Sequence, residues 1–156
     1  MAVQRDASSR FPYPPFVLSA LIAAGFFARW LWPWPFLPGG WLRIAAGLIV
    51  MAGGLAVALA AERAFKAART HVRPDKPTTA IVSTGVFGYS RNPMYLGMAF
   101  LLGGLGIAAN ALWFWLAVPI LMAALLKQAI WPEEAYLEHK FGQDYLNYKA
   151  KVRRWI

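Results

Sequence analysis

The chain has 156 residues, of which 59% are hydrophobic and 15% charged, far more apolar than a water-soluble domain. It has no cysteine, which excludes disulfides, thiolate nucleophiles and cysteine metal sites, and His71 and His139 are its only histidines, which argues against a histidine-rich metal site. The net charge of +9 suggests nucleic acid at first sight, but the placement of the basic residues points elsewhere, as set out below.

In chain order, a polar, proline-bearing lead over residues 1–15 precedes the first of four long apolar stretches, about 16–31. Two arginines before an apolar run resemble a signal peptide, yet no small-residue cleavage site follows, so the run is read as a retained first span. It ends in Trp30, Trp32 and Trp34, residues suited to a membrane interface. Pro33, Pro35, Pro38 and Gly39-Gly40 then make a short uncharged loop. The second stretch, 41–61, carries its helical pattern past Ala61 toward Thr70, a helix of about 45 Å that would project from the membrane as a charged stalk. Gly53, Gly54 and Ala58 offer it small surfaces for close packing. Residues 71–93 are too long for a mere connector and form a candidate binding loop. The third and fourth stretches, 94–109 and 111–129, make a hairpin turning near Asn110. The last segment, 131–156, is amphipathic and helical, divided by Gly142 into 132–141 and 144–152. A bilayer core of roughly 30 Å takes about 20 apolar residues as helix. Backbone groups in that core must be satisfied internally, so four transmembrane helices are expected, forming an all-α membrane bundle with C-terminal amphipathic helices in one domain, 1–156.

On this topology Arg5, Arg10, Arg63, Lys66, Arg69, Arg73, Lys76 and Arg91 fall on one side. Lys127, Lys140, Lys149, Lys151, Arg153 and Arg154 join them, and only Arg29 and Arg43 flank the opposite loop. Positive residues mark the cytoplasmic side, so both termini are expected there, in a bacterial inner membrane. The basic excess is then a topology signal and an attraction to anionic headgroups of membrane lipids, not a nucleic-acid surface.

Three groups of residues could carry chemistry. In Tyr89-Ser90-Arg91-Asn92-Pro93-Met94-Tyr95, Asn92 is a good N-cap and Pro93 fits the first helical turn. The helix start would present free N–H groups near the membrane surface with Arg91 beside them, a place for a carboxylate or phosphate. A capped helix with one snorkelling arginine is the simpler account of the same residues. Glu133 and Glu134, just after Pro132, favour the dipole of a first helical turn. They are also two of only seven acids, at the same membrane face as Arg91, where a carboxylate could accept from ribose hydroxyls or an amino group. Phe141, Tyr145 and Tyr148 share one helical face, which serves as packing or interface anchor and could also wall an aromatic pocket. His139 lies among charges and is read as solvated. No dinucleotide fingerprint or phosphate loop is present.

Taken together, Thr-Gly-Val-Phe-Gly-Tyr-Ser-Arg-Asn-Pro-Met-Tyr-Leu-Gly, an apolar hairpin, Glu-Glu and Phe-Gly-Gln-Asp-Tyr-Leu-Asn-Tyr resemble the isoprenylcysteine carboxyl methyltransferases and the related phospholipid methyltransferases, over about 78–156. The resemblance implies S-adenosylmethionine-dependent methyl transfer in a helical membrane fold without a Rossmann domain. The acceptor it implies is a lipophilic small molecule or lipidated group, such as an isoprenylcysteine carboxylate, a phospholipid amine or a small thiol. Carried onto this chain, it assigns Tyr89, Arg91, Asn92, Pro93, Tyr95, Leu96, Glu133, Glu134, Tyr145 and Tyr148 to the cofactor. Arg91, Glu134 and Arg153 are the candidates for catalysis. Relatives often carry histidine where Asn92 stands, and the eukaryotic isoprenylcysteine enzymes carry arginine where Lys151 stands, for which Arg153 or Arg154 would substitute. No metal is implied, and the chain is expected to be a monomer or homodimer. Two alternatives are a nicotinamide-dependent membrane reductase and a non-enzymatic membrane accessory protein of the same fold.

Overall fold

A computed structural model describes residues 14–69 and 80–156. The expectations for the lead over 1–13, and for His71, Arg73, Lys76 and the rest of 70–79 in the candidate binding loop, lie outside these residues. Every regular element among the described residues is helical. Helix α1 spans Pro14–Leu31 and ends where Pro33 makes a further turn unfavourable. Helix α2, Trp41–Ala67, starts after Gly40, whose φ of 125° belongs to glycine, and is about 40 Å long at 1.5 Å per residue. It ends three residues short of the expected Thr70, after which Arg69 takes a positive φ of 51°. Helix α3, Pro93–Ala109, has Pro93 in its first turn and stops at Asn110, a left-handed cap with φ 50°.

The fourth apolar stretch does not stop before Pro132. Helix α4, Leu112–Leu125, runs through a π turn at Leu126–Ile130 into α5, Trp131–Phe141. In that turn the Trp131 N–H donates to the Leu126 carbonyl, five residues back. Pro132 has no N–H to continue the α ladder and its ring crowds the carbonyl four residues earlier; the wider turn relieves both. Gly142, with φ 52°, then separates α5 from α6, Gln143–Lys151, close to the expected division. Among the described residues, three helical runs are long and apolar enough to cross a membrane: Pro14–Leu31, Trp41–Ala67 and Leu112–Phe141. Helix α3 is apolar but has 17 residues, so the expected fourth crossing stands as a shorter helix.

Helices α2 and α3 pack antiparallel with their backbones in near contact. A Cβ on Gly54 would lie 2.7 Å from the Gly97 carbonyl oxygen, and one on Gly47 would lie 2.6 Å from that of Gly104. Gly53, expected to share this role, has nothing within 4 Å of its would-be Cβ. Small residues let helices approach where lipid supplies no hydrophobic drive between them. The main core lies between α1, α3 and α4, where Leu102, Phe114, Leu121, Leu125 and Ile130 are fully buried. Phe114 meets Phe26 edge-on at 5.1 Å and covers Gly25.

One end of this bundle is tied by Asn110. Its side-chain oxygen accepts from the N–H groups of Phe36 at 3.0 Å and Leu37 at 2.9 Å, and its amide donates to the Leu37 carbonyl at 3.0 Å. Arg29 donates to the Asn110 carbonyl at 3.0 Å and Arg43 to the Ile107 carbonyl at 3.0 Å, placing positive charge on the last carbonyls of α3. At the opposite end a second apolar cluster joins Ala61, Val82 and Phe87 to Phe65 of α2 and Met94 of α3. Against this end fold α5, α6 and the 3-10 turn at Gly85–Gly88.

Candidate functional site

A cavity opens at that second end. Its apolar walls include Phe65, Val82, Phe87, Met94, Ile130 and Leu137. Its polar lining comes from two places: Arg91, Asn92 and Tyr95 at the start of α3, and Glu133, Glu134, Tyr145 and Tyr148 from α5 and α6. Pro93 contributes its ring. Residues some forty positions apart in sequence meet here because the α3–α4 hairpin returns the chain to the end it left, and the π turn carries α4 straight into α5.

The centre of the site is an ion-pair cluster. Arg91 NH1 lies 3.0 Å from Glu134 Oε1, and the two side chains are 8% and 10% exposed. Arg154 grips the same carboxylate with both arms, Nε to Oε1 at 3.0 Å and NH2 to Oε2 at 2.8 Å. Such a fork is the strong geometry for arginine on carboxylate. Arg91, by contrast, is misaligned: its Nε and NH1 are buried and have no hydrogen-bond acceptor. A buried guanidinium with unspent donors is costly unless an anion answers it. The adjacent Glu133 has no ion-pair partner among the described residues.

Neither tyrosine is a base: Tyr148 donates its hydroxyl hydrogen and Tyr145 accepts a hydrogen bond from Arg91. Tyr148 donates its hydroxyl to the Phe87 carbonyl at 2.8 Å, joining α6 to the 3-10 turn. Burial, reinforced by the Glu134 charge, pushes the Tyr145 phenol up to about 12, against the opposing pull of the hydrogen bond and charge of Arg91. Burial, with Tyr145 beside it, pushes Tyr148 up to about 12 as well, again opposed by the Arg91 charge. The hydrogen bond to Glu134 holds Arg154 still more firmly charged than usual, despite some burial.

Of the residues singled out in the sequence, Arg91, Asn92, Pro93, Tyr95, Glu133, Glu134, Tyr145 and Tyr148 line this one cavity. Tyr89 does not; it is 80% exposed. Leu96 is half-buried away from the cavity, its N–H bonded to the Asn92 carbonyl. The side chain of Arg153 is exposed, and Arg154 is the arginine that reaches Glu134. Asn92 makes no side-chain cap to α3; its amide donates to the Arg154 carbonyl at 3.1 Å. Sequence reasoning missed Phe65, Ile130 and Leu137, whose apolar character is common to the whole chain and gives no local signal, whereas Val82 and Phe87 fall in the expected binding loop and Met94 in the motif that follows it. His139 is exposed, as expected of a solvated residue.

Residues 42–144 match a family described as phospholipid methyltransferase. An uncharacterized protein of Haemophilus influenzae is 41% identical over 68 residues, a match covering 40% of this chain and 100% of the relative. No solved structure matches.

Proposed function

Since the chain belongs to the phospholipid methyltransferase family, we propose that it is an integral membrane enzyme moving a methyl group from S-adenosylmethionine to a lipophilic acceptor at the cytoplasmic surface. One observation carries the reading: Arg91 lines the cavity, 8% exposed, ion-paired to Glu134 yet with neither Nε nor NH1 in an aligned hydrogen bond. The donor fits that chemistry. Its carboxylate answers Arg91, its ammonium or ribose hydroxyls answer Glu133, and its aromatic base and sulfonium suit the rings of Phe65, Phe87 and Tyr145. Bound there, S-adenosylmethionine supplies an electrophilic methyl group on a cationic sulfur.

The protein's part is to bind, align and exclude water. The apolar walls dry the site and strengthen the charges within it. In-line approach of the acceptor to the methyl group is an alignment problem, and alignment supplies most of the acceleration in such a transfer. Among the described residues lining the cavity, Glu133 is a carboxylate without an ion-pair partner, placed to take a proton from an acceptor that carries one. The acceptor class spans isoprenylcysteine carboxylates, phospholipid amines and small thiols. We take α3 as the fourth crossing: at about 26 Å it runs beside α2 from the Asn110 end to the cavity end.

The test is calorimetry on the purified, folded protein. S-Adenosylmethionine is expected to bind at micromolar concentration, and Arg91→Ala to weaken it at least about tenfold, or about 1.4 kcal/mol. Absence of binding by the folded wild type rejects the reading, and a preference for a nicotinamide cofactor in the same assay would put a reductase in its place.

A further inference from the structure

After α6 the chain leaves the helix at Val152, where φ −119° and ψ 128° are extended. It then runs back across the start of α3. The Arg91 N–H donates to the Arg153 carbonyl at 3.0 Å. The Asn92 amide at 3.1 Å and the Ser90 hydroxyl at 3.3 Å both donate to the Arg154 carbonyl. Val152 is buried, and Trp155 packs against the main core. Arg154 is therefore held at both ends, by its carbonyl on the α3 entry and by its guanidinium on Glu134.

This arrangement decides what Arg91 has left to give. A buried carboxylate facing one arginine takes it bidentately, and the pair cancels. Here the fork position on Glu134 is occupied by Arg154, so Arg91 pairs with Oε1 at 3.0 Å and bonds the Tyr145 hydroxyl, while Nε and NH1 lack an aligned acceptor. The ion-paired charges of the cluster, Arg91, Arg154 and Glu134, sum to +1. Without Arg154 they would sum to zero, and Glu134 would be free to take Arg91 as a fork.

We propose that Arg154 is a positioning residue for anion recognition: by engaging Glu134, it keeps the buried Arg91 guanidinium from closing into a fork with that carboxylate and leaves it open to the carboxylate of the methyl donor. This rests on the donor-binding reading above. The C-terminal strap is then part of the donor site although its own side chain need not touch the ligand.

The experiment compares S-adenosylmethionine with its decarboxylated analogue, which keeps the nucleoside and sulfonium and lacks the carboxylate. Affinities for both are measured by calorimetry on the full chain. Wild type is expected to favour the carboxylate ligand at least about tenfold. Arg154→Gln should bring the ratio close to one, and Arg154→Gln combined with Glu134→Gln should restore it, because the second change removes the carboxylate that would otherwise neutralise Arg91. Glu134→Gln alone should keep or raise the ratio. General loosening of the fold lowers both affinities and leaves their ratio alone, so it cannot imitate this pattern. A wild-type ratio in Arg154→Gln, or no recovery in the double variant, overturns the role of Arg154 and leaves donor binding standing. A wild-type protein that binds both ligands equally overturns it too, whereas one that binds neither removes the donor reading as well.

Discussion

Tyr148 shows how much one hydroxyl holds at this site. Its bond to the Phe87 carbonyl at 2.8 Å links α6 to the 3-10 turn that forms one wall of the cavity. Tyr148→Phe leaves that carbonyl without its partner and is expected to lower stability by about 1 kcal/mol, read as a fall in thermal midpoint in detergent. The same phenol and that of Tyr145 have a pH signature. Both are pushed from 10.0 up to about 12, chiefly by burial, so the folded chain keeps protons that the unfolded chain has already released. Their contribution is complete below about pH 10 and is lost as pH rises toward 12. A phenolate absorbance titration of the folded protein should show a late phase that disappears in Tyr145→Phe combined with Tyr148→Phe. A single phase near the ordinary tyrosine value would contradict the burial argument. Asn92 marks the limit of reading at this scale. Its type and its place before Pro93 announce a helix cap, yet the amide serves the tail strand 62 positions away. Nothing local to Asn92 could announce that partner.

At the scale of elements, glycine neighbours separate packing from mere composition. Gly54 faces α3 with no room for a side chain, while Gly53 faces away with nothing nearby. Gly54→Val is expected to force α2 and α3 apart and cost about 1–3 kcal/mol, as overpacking does. Gly53→Val should change the thermal midpoint little, and equal effects would refute the observed register of the two helices. The existence and approximate ends of α1 to α6 were legible because apolar runs, prolines and Gly142 punctuate them strongly. Which face of α2 meets α3 was not, since the residues flanking the two glycines are apolar all round. The junction after α4 was misjudged for a related reason. Pro132 is a helix breaker by type, but the π turn before it absorbs the clash and the run stays continuous to Phe141. The acid pair was recognisable from its type and position; its pairing with Arg154 depends on the path of the strap, which no periodicity encodes.

For the whole molecule, the two ends of the bundle differ in charge and in what they do. The Asn110 end carries Arg29 and Arg43, both spent on the carbonyls that close α3. The cavity end carries Arg63, Lys66, Arg69, Arg91, Lys127, Lys140, Lys149, Lys151, Arg153 and Arg154 among the described residues. The positive excess at the cavity end predicts that this end faces the cytoplasm, the side from which the proposed donor would come. The chain has no cysteine, so single cysteines report sidedness without background. Gly39 lies at the Asn110 end with open space around it, whereas Ser83 and Asn147 are exposed at the cavity end. In intact cells an impermeant thiol reagent should label Gly39→Cys and spare Ser83→Cys and Asn147→Cys; after the membrane is opened all three should react. The reverse pattern would put the cavity outside, away from its proposed donor. Labelling of Ser83→Cys and Gly39→Cys from the same side would mean that α2 does not cross at all, and that would remove the membrane frame on which the site is built.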